Sequence, residues 1–286
     1  MATASKRSGT HITPAPGGAG AFVENLDLGK LRAQTVNKLK AALGEHGVLF
    51  FRDQNLTPAQ HIAVAERFGG VNVNRFFSNV DGYPQIAEVR KEPGQTRNIG
   101  GGWHTDHSYD VVPALGSILV ARETPVRGGD TMFASMFKAF DTLSAGMKRT
   151  LRKLRAVHSS RHVFGAAARA RRGDIGERIG NTDAATQDAV HPIVIAHPFS
   201  GREALYVNPG FTTRIEGWTP EESAGLLQML YAHASRPEHV YRFDWAPGSV
   251  AFWDNRATWH YALNDYQGSR RLMHRITVEG ELLHAA

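Results

Sequence analysis

GGGWHTDHS, at residues 100–108, places a histidine and a carboxylate two positions apart, at His104 and Asp106. In an extended strand alternate side chains point to the same face, so these two would lie side by side, with Thr105 opposite. An imidazole and a carboxylate so placed are two of the three ligands of a 2-His-1-carboxylate site, which holds Fe(II) and leaves positions open for substrate and O2. Because a His-x-Asp pair also occurs by chance in surface strands, it predicts a metal centre only together with a further ligand.

A second stretch, WDNRATWH at residues 253–260, supplies a histidine far downstream of the first pair. His260 can reach His104 and Asp106 only if the fold brings distant parts of the chain together, as the strands of a barrel do. The two stretches therefore favour a metal site enclosed by strands.

Two arginines follow the second stretch. Arg271 and Arg275 lie in a strand-like segment and share one face with Met273. Inward-facing arginines need partners, because a buried unpaired guanidinium is very costly. The guanidinium fork matches a carboxylate or a sulfonate bidentately, which predicts a site for small anions. The alternative is a pair of internal salt bridges to Asp254 or Asp265.

The composition limits the possible chemistry. The chain has 286 residues, 42% of them hydrophobic and 21% charged, which are ordinary values for a globular protein with a sizeable core. Cysteine is absent, so disulfides, thiolate zinc sites and cysteine nucleophiles are excluded. Any metal must be held by His, Asp or Glu, and 14 histidines are present.

Charge and hydropathy indicate partners and location. No run of the sequence approaches the roughly 20 apolar residues of a membrane span. No apolar segment follows the N-terminal charges, so a secretory signal is not expected and the cytoplasm is the predicted location, without a membrane partner. The net charge of +6 would suit nucleic acid or anionic substrates. Because no basic helix is interleaved with aromatic residues, we expect small anions and no nucleic acid.

The pattern of elements predicts a mainly β protein with peripheral helices. Residues 31–43 have helical apolar spacing, and Thr57 followed by proline marks the start of a second helix. About ten short strands with few helices between them favour a β-sandwich or barrel over βαβ units. Residues 1–15 are predicted to be disordered and residues 16–286 to form one domain, with a lid insertion around 161–190.

The remaining histidines are interpreted as structural residues. His107 is expected in the pocket wall or in support of the ligands. Packed, hydrogen-bonded histidines are expected at His158, His191, His197 and His274. Surface positions are expected for His11, His46, His61 and His284.

The sequence resembles the taurine dioxygenase / 2,4-dichlorophenoxyacetate dioxygenase family of Fe(II)- and 2-oxoglutarate-dependent dioxygenases from about residue 12 to residue 279. The motifs that carry the resemblance are WHTD (103–106), GGDT (128–131), LYVNPGFTTR (205–214) and WDNR (253–256), followed by His260, Arg271 and Arg275. The resemblance implies a double-stranded β-helix (jelly-roll) core. It also implies iron bound by His104, Asp106 and His260, and 2-oxoglutarate held at its distal carboxylate by Arg271 and Thr131.

The family's reaction is implied as well. The resemblance indicates an oxidoreductase that uses Fe(II), O2 and 2-oxoglutarate to hydroxylate a C–H bond next to a heteroatom, releasing succinate and CO2. The product often fragments. An intact carboxylate ligand at Asp106 favours hydroxylation over halogenation, which needs that position for chloride. Relatives are often dimers or tetramers, so a homo-oligomer is expected.

The substrate positions differ from those of the taurine enzymes. Those enzymes have a histidine, a tyrosine and an asparagine where this chain has Asn74, Phe77 and Gly100. The residues expected at the substrate are Asn74, Phe77, Gly100, Phe164, Phe211 and Arg275, the last matching the arginine that grips a sulfonate. An aromatic pocket with one arginine predicts a larger, less polar anion, such as an aryloxyalkanoate or an alkyl sulfonate or sulfate ester.

Several alternatives remain open from the sequence. Taurine itself is one possible substrate. A nucleic-acid demethylase would use the same chemistry but should show a basic groove. A metal-binding jelly roll without catalysis would have no reason to keep Thr131, Arg271 and Arg275 together. Imidazole and carboxylate ligands also bind Zn, Mn, Co and Ni, so the triad predicts a metal site without identifying the metal.

Overall fold

The computed structural model describes residues 9–170, residue 180 and residues 182–286. Within these residues the helices are α1 (Ala33–His46), α2 (Pro58–Glu66), α3 (Met136–Asp141), α4 (Ala145–Leu151), α5 (Arg161–Phe164), α6 (Ala166–Ala170) and α7 (Pro220–Ala234), with short 3-10 helices at Leu28–Lys30, Thr182–Ala184 and Pro237–His239. The strands are β1 (His11–Pro14), β2 (Ala21–Glu24), β3 (Val48–Phe51), β4 (Val71–Asn72), β5 (Asn79–Val80), β6 (Tyr83–Lys91), β7 (Gly116–Glu123), β8 (Thr131–Ser135), β9 (Arg155–Ser159), β10 (Asp188–Pro192), β11 (Val194–Ala196), β12 (Glu203–Leu205), β13 (Thr212–Ile215), β14 (Val240–Phe243), β15 (Val250–Asp254), β16 (Thr258–Ala262) and β17 (Arg271–Val278).

The first two helices form where the sequence signals them. α1 ends at Gly47, which adopts a left-handed conformation (φ 75°) and donates its N–H to the carbonyl of Leu43. α2 starts with a capping box: the Thr57 side chain accepts from the Gln60 N–H, and the Gln60 side chain accepts from the Thr57 N–H. Pro58 occupies the first helical position, where it needs no hydrogen-bond donor.

Two sheets enclose the core of the protein. The larger runs β1-β2-β3-β15-β7-β17-β6-β5, with β4 also paired to β17, and β14-β8-β16 form a smaller one. Phe50, Trp253 and Met273 of the large sheet pack against Phe133 and Phe243 of the small sheet. Aromatic and apolar side chains therefore fill the space between the sheets, as in a β-sandwich.

The helices lie outside these sheets, which agrees with the predicted mainly β class with peripheral helices. α1 and α2 cover the outer face of the large sheet, where Leu39 and Val64 share an apolar cluster with Phe252 and Ile276. A separate cluster joins α3, α4 and α7 to the small sheets β10-β9-β13 and β11-β12. None of the described helices combines the length and apolarity needed to cross a membrane.

Strand β17 has the alternation expected from the sequence. Arg271, Met273 and Arg275 are buried, and Met273 belongs to the cluster between the two sheets. Ile276, one position past Arg275, belongs instead to the cluster under α1 and α2. The two arginines therefore point to the inner side of the large sheet.

The structure differs from the sequence predictions in three places. The predicted disorder of residues 1–15 is wrong over His11–Pro14, which form β1 and pair with β2, while residues 1–8 lie outside the described residues. The stretch 100–108 is a bridge at His104 followed by a turn rather than a strand. His61, expected at the surface, is fully buried on α2, and its Nε2 lies 3.1 Å from the carbonyl of Ile118.

The predicted insertion at 161–190 is described only in part. It contains α5, α6, the 3-10 helix Thr182–Ala184 and the start of β10, while residues 171–179 and 181 lie outside the described residues. Its first helix, α5, carries Phe164 into contact with the candidate site. The N–H of Gly180 donates to the carbonyl of Phe76 (2.8 Å).

Candidate active site

His104, Asp106 and His260 converge although their sequence positions are far apart. His104 and His260 form an isolated antiparallel bridge, with N–O distances of 3.2 and 2.8 Å between their backbones. One ligand atom from each of the three side chains lies within 4.8 Å of the others. The Asp106 oxygens lie 3.7 Å from Nε2 of His104 and 3.7 Å from Nε2 of His260. This spacing suits a single metal ion held on one face.

The protonation of the three groups also suits a metal. Nδ1 of His104 donates to the carbonyl of Gly102 (2.8 Å), which leaves the lone pair on Nε2. Burial is the main cause that holds the pKa of His260 well below its usual range, so this ring stays neutral. Burial alone would raise the pKa of Asp106, but the opposing causes, of which the charge of Arg275 is the largest, leave that pKa below the ordinary value. The donor set is two imidazoles and one carboxylate.

Every residue predicted for the site from the sequence lines the same cavity, whose volume is about 780 Å³. Gly100 lies in its wall with φ +81°, and a Cβ at this position would approach Cε1 of His104 to 3.4 Å. The N–H of Ala262 donates to the Gly100 carbonyl (3.0 Å), which fixes the glycine-rich loop to β16. The backbone of this loop therefore packs against His104.

One end of the cavity is built for an anion by Arg271 and Thr131. Nε of Arg271 donates to the Gly129 carbonyl (3.0 Å), while its buried Nη2 has no hydrogen-bond partner among the described residues. Oγ1 of Thr131 accepts from Nε1 of Trp245 (3.0 Å), so its own hydrogen is free to donate into the cavity. A buried cation with an unsatisfied donor beside a hydroxyl fits a carboxylate.

Arg275 provides a second cation nearer the triad. Its Nη1 donates to Oδ2 of Asp106 (3.1 Å), and its guanidinium lies 4.9 Å from the ring centre of Phe77. Its Nε is buried and has no hydrogen-bond partner in the described part of the chain. The salt bridges considered from the sequence are made elsewhere, since Asp254 pairs with Arg256 (2.7 Å) and Asp265 with Arg242 (3.1 Å).

Aromatic rings form the wall opposite the glycine-rich loop. Phe164 stacks on Phe76 at a centroid distance of 4.3 Å and an interplanar angle of 11°. Phe211 lies 4.8 Å from Tyr109 and 5.9 Å from Phe164. The sequence analysis did not identify Phe76 and Tyr109 as site residues. Phe76 directly precedes Phe77, and Tyr109 follows Asp106 by three positions. The wall offers an apolar surface next to Arg275.

Asn74 holds this wall in place. Its Oδ1 accepts from the N–H groups of Phe76 (2.9 Å) and Phe77 (3.1 Å), an Asx turn that fixes the loop. The side-chain oxygen is therefore used by the protein itself. Only the amide NH2 of Asn74 remains to face a bound molecule.

The loop that carries Asp106 is held by His107 and by two residues that were not identified from the sequence, Arg75 and Asp110. His107 adopts a left-handed conformation (φ 60°), and its Nδ1 lies 2.9 Å from Oδ2 of Asp110. Arg75 donates to both oxygens of the same carboxylate, at 2.7 and 3.0 Å. His107 lines the cavity, in agreement with its predicted place in the pocket wall or in support of the ligands. An observed left-handed non-glycine residue beside a ligand is consistent with a functional constraint.

Comparison with known proteins begins with one family model. The model described as "Taurine catabolism dioxygenase TauD, TfdA family" matches residues 9–277. An alkylsulfatase of Acinetobacter baylyi is 34% identical over 94% of this chain and 85% of its own length. An alpha-ketoglutarate-dependent sulfate ester dioxygenase of Pseudomonas putida is 33% identical over 99% of this chain and 93% of its own. A (S)-phenoxypropionate/alpha-ketoglutarate-dioxygenase of Sphingobium herbicidovorans is also 33% identical, over 94% and 95%.

Solved structures agree with the sequence matches. The crystal structure of a taurine dioxygenase from Burkholderia xenovorans superposes with a TM-score of 0.81 at 34% identity, covering 96% of this chain and 93% of the other. The structure of AAD-2 in complex with Mn(II) and N-oxalylglycine gives a TM-score of 0.77 at 28% identity, covering 95% and 98%. The predicted mainly β fold with a jelly-roll core is confirmed.

Proposed function

The chain belongs to the TauD, TfdA family of dioxygenases, and from that premise we propose that it hydroxylates a C–H bond next to a heteroatom in a small anionic substrate, with Fe(II) and 2-oxoglutarate. The observation that carries the proposal is that one cavity combines a possible metal site with two buried arginines. His104, Asp106 and His260 offer a metal three ligands. Two buried arginines, Arg271 and Arg275, line the same cavity, and each has one nitrogen without a hydrogen-bond partner among the described residues.

His104, Asp106 and His260 would hold the iron. Their donor set leaves half of an octahedral shell for other ligands, which is the arrangement of Fe(II) oxygenases. When bound, iron, 2-oxoglutarate and O2 supply the oxidising chemistry: one oxygen atom goes to the substrate as a hydroxyl group and the other to succinate, with loss of CO2. The protein supplies ligation, orientation and the exclusion of water from the cavity.

Arg271 and Thr131 would bind the distal carboxylate of 2-oxoglutarate. Nη2 of Arg271 lacks a partner among the described residues and can donate to one carboxylate oxygen. The hydroxyl of Thr131, whose oxygen already accepts from Trp245, can donate to the other. The Gly129 carbonyl fixes the guanidinium through Nε. This anchoring orients the cosubstrate and leaves its other end free to reach the metal side of the cavity.

Arg275 would bind the anionic group of the substrate, and the aromatic wall would bind its apolar part. Phe77, Phe164 and Phe211, with Phe76 and Tyr109 behind them, give more apolar surface than taurine needs. Relatives named for sulfate esters and for phenoxypropionate support an alkyl sulfate or aryloxyalkanoate. A hydroxyl placed on the carbon beside the ether or ester oxygen makes an unstable adduct, which breaks down to a carbonyl compound and free sulfate or phenol.

Taurine is the second candidate substrate. Its ammonium group would need acceptor atoms in the pocket, but the Asn74 oxygen is already engaged by two backbone N–H groups. A buried ammonium without acceptors is costly. The aromatic wall therefore favours an anion with an apolar tail.

We extend the proposal to the organisation of the protein. Residues 16–286 would form one catalytic domain, and the chain would assemble as a homo-oligomer, as its family resemblance implies. Light scattering coupled to size-exclusion chromatography tests the assembly directly. A monomer at micromolar concentration would contradict that part of the proposal without affecting the chemistry.

The experiment for the reaction supplies Fe(II), 2-oxoglutarate and O2 with one candidate anion at a time. The panel is hexyl sulfate, butane-1-sulfonate, taurine and each enantiomer of 2-phenoxypropionate. We expect succinate to form in equal amount to the released sulfate, sulfite or phenol with an apolar anion, and slower turnover with taurine. Faster turnover of taurine than of every apolar anion would contradict the assignment of the substrate class.

A further inference from the structure

We propose that Arg275 is an electrostatic link between the anion subsite and the metal centre. One edge of its guanidinium competes with the metal for the charge of Asp106. An anion bound to the other edge reduces that competition. The inference rests on the proposed metal site and the proposed anion subsite. It adds a thermodynamic coupling between them, carried by one side chain.

The carboxylate of Asp106 is shared between two cationic partners. Nη1 of Arg275 donates to Oδ2 at 3.1 Å, and the two side chains are only 9% and 11% exposed. The same Oδ2 lies 3.7 Å from Nε2 of His260, on the side where a metal would bind. Because this contact is buried, solvent screens it weakly.

The guanidinium can serve the carboxylate and an anion together. It has two separate edges for bidentate contacts, one formed by Nε with Nη2 and the other by the two Nη atoms. On the surface of this protein, Arg152 uses the Nε and Nη2 edge to bind both oxygens of Glu203. In Arg275 that edge includes the buried Nε, which has no partner among the described residues, while Nη1 remains on Asp106. An anion bound on that edge would leave the Nη1 contact to Asp106 intact.

The sign of the coupling follows from the charges. A guanidinium beside the ligand carboxylate attracts the negative charge that would otherwise stabilise the metal, and it repels the metal itself. An anion bound to the free edge offsets that positive charge, so the metal binds more tightly. By linkage the metal strengthens anion binding by the same factor.

A second effect of Arg275 acts in the opposite direction. Its hydrogen bond orients Asp106, and removing the outer partner of a metal ligand typically weakens metal binding by about 10- to 100-fold. Arg275→Gln removes the charge and shortens the side chain, so it also weakens the hydrogen bond to Asp106. Because loss of that hydrogen bond can only weaken metal binding, a gain in affinity must come from the lost charge. Arg275→Lys keeps the charge.

The test is the affinity for Mn(II) alone, measured by calorimetry without cosubstrate. We expect Arg275→Gln to bind Mn(II) at least about fivefold more tightly than wild type, the lower end of usual coupling strengths. Arg275→Lys should stay close to wild type. Arg271→Gln is the matched control, since it removes the same charge from the same strand without touching Asp106, and its effect should be smaller. Equal or weaker binding in Arg275→Gln, or an equal gain in Arg271→Gln, would overturn the link.

An anion probe tests the reciprocal half. Butane-1-sulfonate should tighten Mn(II) binding in the wild type and have no effect in Arg275→Gln. No tightening in the wild type, or the same tightening in both proteins, contradicts the inference. Thermal unfolding establishes that each variant is folded. If the folded wild-type protein binds no Mn(II) at all, the proposed metal site itself is wrong, which distinguishes that failure from a failure of the link.

Discussion

Gly210 lies directly against His104: a Cβ at position 210 would be 2.7 Å from the Cβ of His104. Non-bonded carbon atoms do not approach so closely, so only glycine fits beside His104. The Gly210 carbonyl lies 2.9 Å from Nε2 of His162 on α5, which holds the same loop from its other side. The backbone of residue 210 therefore constrains the position of His104, one of the proposed metal ligands.

Gly210→Ala should displace His104 and weaken metal binding. We expect the Mn(II) dissociation constant to rise about tenfold, as for other losses of support to a metal ligand. Gly102→Ala is the control near the same histidine, because its Cβ would meet no atom within 4 Å and its carbonyl would still accept from His104. Equal affinities in the two variants would show that the close approach has no role.

Arg271→Gln should weaken binding of 2-oxoglutarate. The variant loses the buried cation that faces Thr131, and truncating one side of a buried charged contact usually costs about 2 kcal/mol or more, roughly 30-fold in affinity. Arg270→Gln removes the neighbouring arginine, which pairs with Glu123 at the surface (3.0 Å), and should leave the affinity unchanged. Calorimetry with the Mn(II)-loaded protein measures both. A similar loss in both variants would remove Arg271 from the cosubstrate site.

The ion pair of Asp254 and Arg256 should matter for stability. Both side chains are fully buried, Nη2 of Arg256 donates to the carboxylate at 2.7 Å, and His197 lies 3.0 Å from it. Arg256→Met would leave a buried carboxylate without its main partner, so we expect a loss of about 3–5 kcal/mol in the free energy of unfolding. Arg152→Met, at the solvent-screened pair with Glu203, should lose much less stability. Urea unfolding at neutral pH that gave equal losses would contradict this contrast.

His61 should make the stability fall in acid. Burial, then the charge of Arg122, lowers its pKa to about 3, whereas an unfolded histidine titrates near 6.5. Between these two pH values the histidine is protonated in the unfolded state but not in the folded state. The stability that the buried neutral ring contributes is therefore complete above about pH 6.5. It is lost as the pH falls towards 3, by at most about 1.4 kcal/mol per pH unit.

The variant His61→Gln isolates this contribution. Between pH 7.5 and pH 5 its unfolding free energy should decrease by about 2 kcal/mol less than that of wild type. His11→Gln, at an exposed position, should follow wild type. An unchanged decrease in His61→Gln would mean that this ring is not the source of the acid sensitivity.

Much of the site could be predicted because its ligands lie in short motifs with few structural alternatives. His104 and Asp106 are two positions apart, and Arg271 and Arg275 share a strand face that the structure preserves. Arginine is rarely buried without an anionic partner, so two arginines on one strand face predicted an anion site from the sequence alone. Partners fixed only by long-range contacts could not be predicted in this way.

Gly210 and Asp110 belong to that second group. Gly210 meets His104 only after the chain has folded, and Asp110 acquires its role from Arg75 across a loop. The burial of His61 did have a local signal. It lies three and four positions before Val64 and Ala65, which form the buried face of α2. A hydrophobicity pattern that treats histidine as polar misses this face.

The most direct test of the central claim is an anaerobic titration of the metal-free protein with Fe(II) and then 2-oxoglutarate. If His104, Asp106 and His260 hold the iron and Arg271 orients the cosubstrate, the weak visible charge-transfer band of the chelate should appear at one equivalent of each. Asp106→Ala should show no band. Wild-type protein that binds Fe(II) but gives no band with saturating 2-oxoglutarate would contradict the proposed use of the cosubstrate.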